Sequence, residues 1–353
     1  MEKGKDDFAL IDYMVCPGFL VKDRHVLRVN EAAKRLFLQP GTDITSLLLT
    51  GAEEYAHFEQ GCLYLSMNLG EVPQGVTVTR LQDMDLFLCD GEAELQELKV
   101  LALAAQELRL PLSNVMLSAS HLESLQQDQE ALGQMARLNR GTAQLMRIIG
   151  NMSDALRYVR SGRLQTKNVT ALMDEIFEKA RILTESTGIS LHCSLPREDT
   201  FTQADPEQLE RAVFNLISNS LKFTPEGGLV EAALTKRGKF LCLTVQDSGS
   251  GIAESILQNV FSRYRRQPSL EDSRFGLGLG LTLVRAAAAN HGGTVLIDQP
   301  GTGTRVTLTL AIREAEETSL HSPVLTVDYA GEQDHGLIEL SESLPAELYL
   351  PKA

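Results

Sequence analysis

Apolar and polar positions change their spacing twice along the chain, and each change predicts a new kind of element. Through about residue 90 the apolar residues come in short runs. Phe19-Leu20-Val21 and Val26-Leu27 flank the polar stretch Lys22-Asp23-Arg24-His25, which predicts a β-hairpin. Asn30 then stands as an N-cap before a short helix over residues 31–37. Residues 62–69, 75–81 and 85–89 alternate like antiparallel strands, so residues 1–90 read as a small α+β domain.

From 91 to 162 the spacing becomes three and four: Leu95, Leu98, Leu101, Ala105, Leu108, Leu112, Val115, then Met135, Leu138, Leu145, Ile149, Met152, Leu156, Val159. The polar break Gln126-Gln127-Asp128-Gln129 divides this into two long amphipathic helices forming a hairpin. Two helices bury little by themselves, which predicts a four-helix bundle made by two chains; the alternative is a helical linker packed on its own domains.

Residues 163–312 alternate helices with strands. A helix over 171–187 ends at Gly188, and a strand follows over 189–195. Asp205-Pro206-Glu207-Gln208 is a helix start with Asp as N-cap, Pro in the first turn and Gln placed to close a capping box. That helix runs to Phe223; strands over 229–235 and 240–246, a glycine-rich loop, a helix over 280–291 and two last strands complete an α/β sandwich. Residues 313–353 form an acidic tail with one strand-like run at 324–329.

The net charge of −14 argues against a general affinity for nucleic acid or anionic membrane, so a bound anion needs local donors. The longest apolar runs fall far short of a bilayer span, and the N-terminus lacks the apolar core of a secretory signal, which predicts a cytoplasmic protein. The five cysteines, Cys16, Cys62, Cys89, Cys193 and Cys242, form no C-x-x-C pair and are expected as reduced core residues. His25 and His57 share no metal spacing, and His291 reads as part of a structural HGG turn.

Four pieces of the third region carry chemistry. Asn215 and Asn219 lie four apart on one helix, near Glu207, Gln208 and Arg211, with Lys222 one turn on. Carboxamide oxygens suit Mg²⁺ and a lysine suits phosphate, although such a pair also occurs on plain polar faces. Asp247-Ser248-Gly249-Ser250-Gly251 follows a strand, where a carboxylate can accept from an exocyclic amine and glycines let backbone approach a flat ring; the same string also makes an ordinary turn. Gly276, Gly278 and Gly280 lead into a helix whose N-terminus favours a polyphosphate, at a spacing different from the dinucleotide fingerprint. Gly301-Thr302-Gly303-Thr304 makes a tight turn before the last strand.

In order and spacing, NLISNSLKFTPEGG, DSGSGI, GLGLGL, HGG and GTGT resemble the N, G1, G2 and G3 boxes of the GHKL ATPase superfamily, and within it the sensor histidine kinases. The hairpin is similar to that family's dimerisation and phosphotransfer domain, and the first region, through its FLV-turn-VLRVNEAA stretch, to a PAS sensor domain. The resemblance implies a Bergerat-type ATP site with ATP and Mg²⁺ as cofactors: Asn219 as Mg²⁺ ligand, Asn215 and Lys222 beside the phosphates, and Phe223 flanking the nucleotide. Asp247 with Gly251 would read adenine, with Gly249 also in the ATP site and Thr304 at the G3 turn. It implies a mobile lid over 265–280, with Phe261 as its preceding aromatic and Arg266 reaching the γ-phosphate. The partners implied are a second copy or a related kinase in a dimer, and a response-regulator receiver domain.

The family's acceptor box H-E-L-R-T-P-L stands here as Gln106-Glu107-Leu108-Arg109-Leu110-Pro111-Leu112. The amide nitrogen of Gln106 is conjugated and poorly nucleophilic, so Glu107 keeps its base position with nothing to deprotonate. Leu110 replaces the Thr or Asn that positions water for regulator dephosphorylation. His121, about 22 Å further along the helix at 1.5 Å per residue, is too distant to stand in and reads as a surface residue. The reading is an ATP–Mg²⁺-binding kinase homologue that does not phosphorylate itself at the usual position. The alternatives are a kinase using a partner chain or another acceptor, and a non-catalytic interaction protein with a nucleotide-dependent conformation.

Overall fold

The computed structural model describes residues 11–12, 14, 16–70, 72–81, 83–124, 128–160, 163–253, 278–313 and 334–350. β1 (Gly18–Lys22) and β2 (His25–Val29) form the expected hairpin, with Asp23 and Arg24 left-handed at its turn. Asn30 caps α1 (Glu31–Lys34) by accepting from the Ala33 amide, and its side chain also donates to the carbonyl of Cys16 at 2.8 Å. The helix is shorter than its apolar pattern because Phe37 turns left-handed and points outward. After the short α2 (Ala52–Ala56), β3 (Cys62–Leu69), β4 (Val72–Leu81) and β5 (Met84–Cys89) complete an antiparallel sheet around Phe19, Phe87 and Leu65.

α3 (Glu92–Ser124) and α4 (Gln129–Arg160) pack on one another. Leu98, Ala105 and Leu112 of α3 meet Met146, Ile149, Met152 and Ala155 of α4, as the spacing of three and four requires. A second apolar stripe, including Val100, Leu103, Leu110 and Leu117, stays exposed.

β6 (Gln165–Asn168) and β8 (Phe201–Ala204) form a two-stranded ribbon, with α5 (Val169–Thr184) and β7 (Ser190–Ser194) between them in sequence. Then come α6 (Pro206–Phe223), β9 (Leu229–Arg237), β10 (Phe240–Asp247), α7 (Leu279–Asn290), β11 (Val295–Asp298) and β12 (Arg305–Ala311). α5, α6 and α7 bury Phe177, Phe214, Leu216 and Val284 against β9, β10 and β12. The expected strand at 324–329 lies outside the described residues. Beyond it stand α8 (His335–Glu339) and a 3₁₀ turn (Ala346–Tyr349), where the sequence predicts only an acidic tail.

The two sheets are one. β11 pairs antiparallel with β3, Leu296 opposite Leu63, giving the order β2-β1-β5-β4-β3-β11-β12-β10-β9-β7, in which β7–β9 is parallel. Gly61 lies at this seam with φ +95°, where a Cβ would overlap the Ile297 carbonyl. Arg285 of α7 crosses the seam beneath the sheet, 3.2 Å from Asp90 and 5.0 Å from the centre of the Tyr64 ring. No described helix is long and apolar enough to cross a membrane.

Candidate nucleotide site

α6 carries the N-box residues, and its start is built differently from the capping box expected. The Asp205 side chain caps the helix by accepting from the Gln208 amide at 3.2 Å. Gln208 does not return the bond; its carbonyl oxygen accepts from Asn290, and the Asp205 amide donates instead to His291 Nε2 at 2.9 Å. Since a backbone amide only donates, Nε2 is the bare nitrogen, and Nδ1 carries the proton given to the Ala287 carbonyl. Burial holds His291 below its ordinary pKa, in keeping with a neutral ring that ties the end of α7 to the start of α6.

Asn215 is fully buried and donates to the Arg211 carbonyl one turn back. Its Oδ1 is buried without a hydrogen-bond partner and faces Gly280, where a Cβ would stand 2.7 Å away. Asn219 and Lys222, one and two turns on, are partly exposed. The N-box helix and the glycine entry to α7 therefore meet at an orphaned carboxamide oxygen. Gly278, left-handed at φ +74°, is the N-cap of α7, so that its first turn opens without a side-chain cap.

Asp247 ends β10. Its Oδ1 accepts from the Gly249 amide at 2.9 Å and the Thr304 amide at 3.1 Å, joining the G1 and G3 turns at one atom. Among the described residues, Oδ2 has no partner. Burial raises the carboxyl above the ordinary aspartate range, and the two amide donors oppose that shift. Gly303, at φ +81°, is required here, because a Cβ would overlap the Asp247 carbonyl. Gly249 packs against the Phe223 carbonyl, which brings Phe223 and the G1 turn together. Gly251 lies near Gln299.

A buried orphan oxygen beside a glycine-started helix, with a half-buried carboxamide and an ammonium one and two turns along α6, is a donor set that fits Mg²⁺ with a polyphosphate. Asp247 beside two glycines fits an amine-bearing flat ring. Phe261, Arg266, Gly276 and the lid through residue 277 lie outside the described residues. No group of three or more His, Cys, Asp or Glu fit to hold a metal occurs among the described residues, so the metal reading rests on carboxamide and phosphate oxygens.

Gln106 and Glu107 are exposed on α3. Gln106 borders a groove of about 490 Å³ shared with Lys99, Arg109 and Ser153. Leu110, one turn on, is 70% exposed, an alkyl group facing solvent. His121 is exposed on the same helix. Cys62, Cys89 and Cys242 are buried, but Cys193 is exposed on edge strand β7, which corrects the expectation of core cysteines throughout.

Charged residues that the motifs did not flag gather where α6 faces α4. Arg211, 2% exposed, lies 2.8 Å from Asp154 and 3.2 Å from Glu339 of α8. Burial works against its charge, and Glu339 and Asp154 outweigh burial and raise its pKa. Arg147 lies 3.1 Å from Glu342, which in turn lies 2.9 Å from Lys222. The signal available in the sequence was Arg147 and Asp154 on the otherwise apolar face of α4.

The chain is similar to several known proteins. The family described as "Histidine kinase-, DNA gyrase B-, and HSP90-like ATPase" matches residues 204–314. The adaptive-response sensory kinase SasA of Prochlorococcus marinus is 29% identical over 325 residues, 85% of this chain and 82% of that one. Histidine protein kinase DivJ of Caulobacter vibrioides is 30% identical over 258 residues, 68% of this chain but 42% of its own length. Among solved structures, full-length ShkA in complex with AMPPNP aligns with 62% of this chain and 47% of its own at 24% identity, with a TM-score of 0.47.

Proposed function

We propose that this chain, whose residues 204–314 match the ATPase family and which is similar to histidine kinases of two-component signalling, binds ATP with Mg²⁺ but does not phosphorylate itself at that family's acceptor position. One observation carries the reading: Asn215, Asn219, Lys222 and Asp247 keep the box positions, while the matching acceptor position on α3 is an exposed Gln106. Asn219 would hold Mg²⁺ with Asn215 at its back, Lys222 would meet phosphate, and Asp247 would accept from adenine. Mg²⁺ would offset phosphate charge, and every further contribution comes from how these side chains orient the nucleotide.

Leu110 removes the hydrogen-bonding group that would orient water, so the phosphatase step is lost with the kinase step. The exposed stripe of Val100, Leu103, Leu110 and Leu117 supports a four-helix bundle with a second copy or a related kinase. Residues 1–90 would act as a PAS-like sensor, and the output would be a nucleotide-dependent conformation offered to a kinase partner or a receiver domain. Titration with a fluorescent ATP analogue in the presence of Mg²⁺ tests the binding half. Saturable micromolar binding, lost in Asn219→Ala, is expected; no binding by the wild-type chain would overturn it.

A further inference from the structure

Lys222, the cation that the nucleotide reading gives to phosphate, already faces an anion supplied by the chain. Its ammonium lies 2.9 Å from the Glu342 carboxylate, 120 residues away in sequence. The segment bearing Glu342 is held in place by contacts other than this pair. Ile338, Leu340 and Leu344 are buried, Leu340 and Leu344 within the core of the ATPase-family domain. α4 grips the backbone: Arg140 donates to the carbonyls of Ser341 and Glu342, and Gln144 donates to that of Ser341. The backbone is thus anchored on both sides, and the part able to move is the Glu342 side chain.

The carboxylate has a second place to go. It lies between Lys222 and Arg147, 3.1 Å from the latter. Arg147 Nε is buried without a hydrogen bond, 3.6 Å from Glu339, so this guanidinium can take more of the carboxylate than it now holds. Asp154, Glu207, Glu339 and Glu342 balance Arg147, Arg157, Arg211 and Lys222, four charges against four. A magnesium-bound nucleotide brings about two further net negative charges to Lys222. One ammonium cannot neutralise both anions in a partly buried place.

We propose that residues 334–350 are a strap across the nucleotide site, and that its Glu342 side chain must release Lys222 and turn to Arg147 when Mg²⁺–nucleotide binds. This rests on the nucleotide reading above and adds its regulation. Occupancy of the site is then coupled directly to α4, the helix packed against the acceptor-position helix, through one carboxylate exchanging cations. Burial works against ionisation of Glu342, and Arg147 and Lys222 outweigh it, keeping the carboxyl below the ordinary glutamate range and charged at neutral pH.

The test compares the full chain with Glu342→Gln and with Glu347→Gln, an exposed acid of the same segment, using a trinitrophenyl-ATP analogue with Mg²⁺. Glu342→Gln should bind about tenfold tighter because a like charge beside phosphate is gone, and Glu347→Gln should match wild type. Equal affinity in all three overturns the strap while leaving nucleotide binding intact. Weaker binding by Glu342→Gln also overturns it and would make Glu342 a contributor to the metal site. No binding by any of the three removes the nucleotide reading and the proposal with it.

Discussion

Arg211 of the N-box helix lies 2.8 Å from Asp154 of α4, with both side chains at most 5% exposed. This pair holds the ATPase-family domain against the hairpin from inside the interface. Removing Arg211 leaves two buried carboxylates, Asp154 and Glu339, with Arg157 3.4 Å from the one and Arg147 3.6 Å from the other. Arg211→Ala should therefore cost about 3–5 kcal/mol of unfolding free energy in urea titrations. Arg157→Ala, on the exposed edge of the same interface beside Glu207, should cost about 1 kcal/mol or less.

In the proposed nucleotide site Asp247 would set a pH limit on binding. In that role it would have to be ionised to accept from adenine, and burial raises its pKa above the ordinary value of about 3.9. Affinity should be full at neutral pH and fall on acidification, beginning above the range where an exposed aspartate titrates. Asp247→Asn should lower affinity by about ten- to a hundredfold and flatten this acid limb, as read by analogue titration across pH.

His291 links stability to pH in the same direction. Its folded pKa lies below the ordinary value of about 6.5, so the unfolded chain binds more protons between the two values. Its contribution is complete above about pH 6.5 and is lost as pH falls from there through the folded pKa. The melting temperature should drop over that interval in the wild-type chain and drop less in His291→Gln. At neutral pH that variant should be less stable by about 1–2 kcal/mol, because the Asp205 amide loses its acceptor.

The β3–β11 seam predicts a defect from a single methyl group. Gly61→Ala places a side chain at φ +95° and against the Ile297 carbonyl. Its destabilisation should exceed the roughly 1 kcal/mol of an ordinary glycine replacement, and amide exchange should rise at residues 295–297.

Much of this was legible from residues alone. Asn30, Asp205 and Gly188 fix element ends through local hydrogen bonds and a left-handed turn, which short sequence windows carry. The spacing from Leu98 to Ala155 gives the hairpin because its face is apolar over thirty residues. The seam was not legible: β3 is buried on both faces and continues into a distant strand, and no local signal says which edge it will meet. The strap was hidden by its composition. Its apolar anchors Ile338, Leu340 and Leu344 sit among acids that read as solvated, and those acids are neutralised by Arg147, Arg211 and Lys222, far away in sequence. Gln208 missed its capping role for a similar reason, since Asn290 and His291 arrive from another helix.

Gln106→His should restore measurable autophosphorylation, since Glu107 is retained beside an exposed position on α3. Acid-labile label on this variant from γ-labelled ATP is the expected result. Its absence would show that the route from the nucleotide to α3 has changed along with the acceptor.

The central claim is that the wild-type chain holds nucleotide without transferring phosphate at the family's position. Incubating the purified wild-type protein with γ-labelled ATP and Mg²⁺, then testing the label in acid and base, addresses it most directly. Nucleotide retention with no acid-labile, base-stable label is expected. Rapid appearance of such label on the wild-type chain would contradict it.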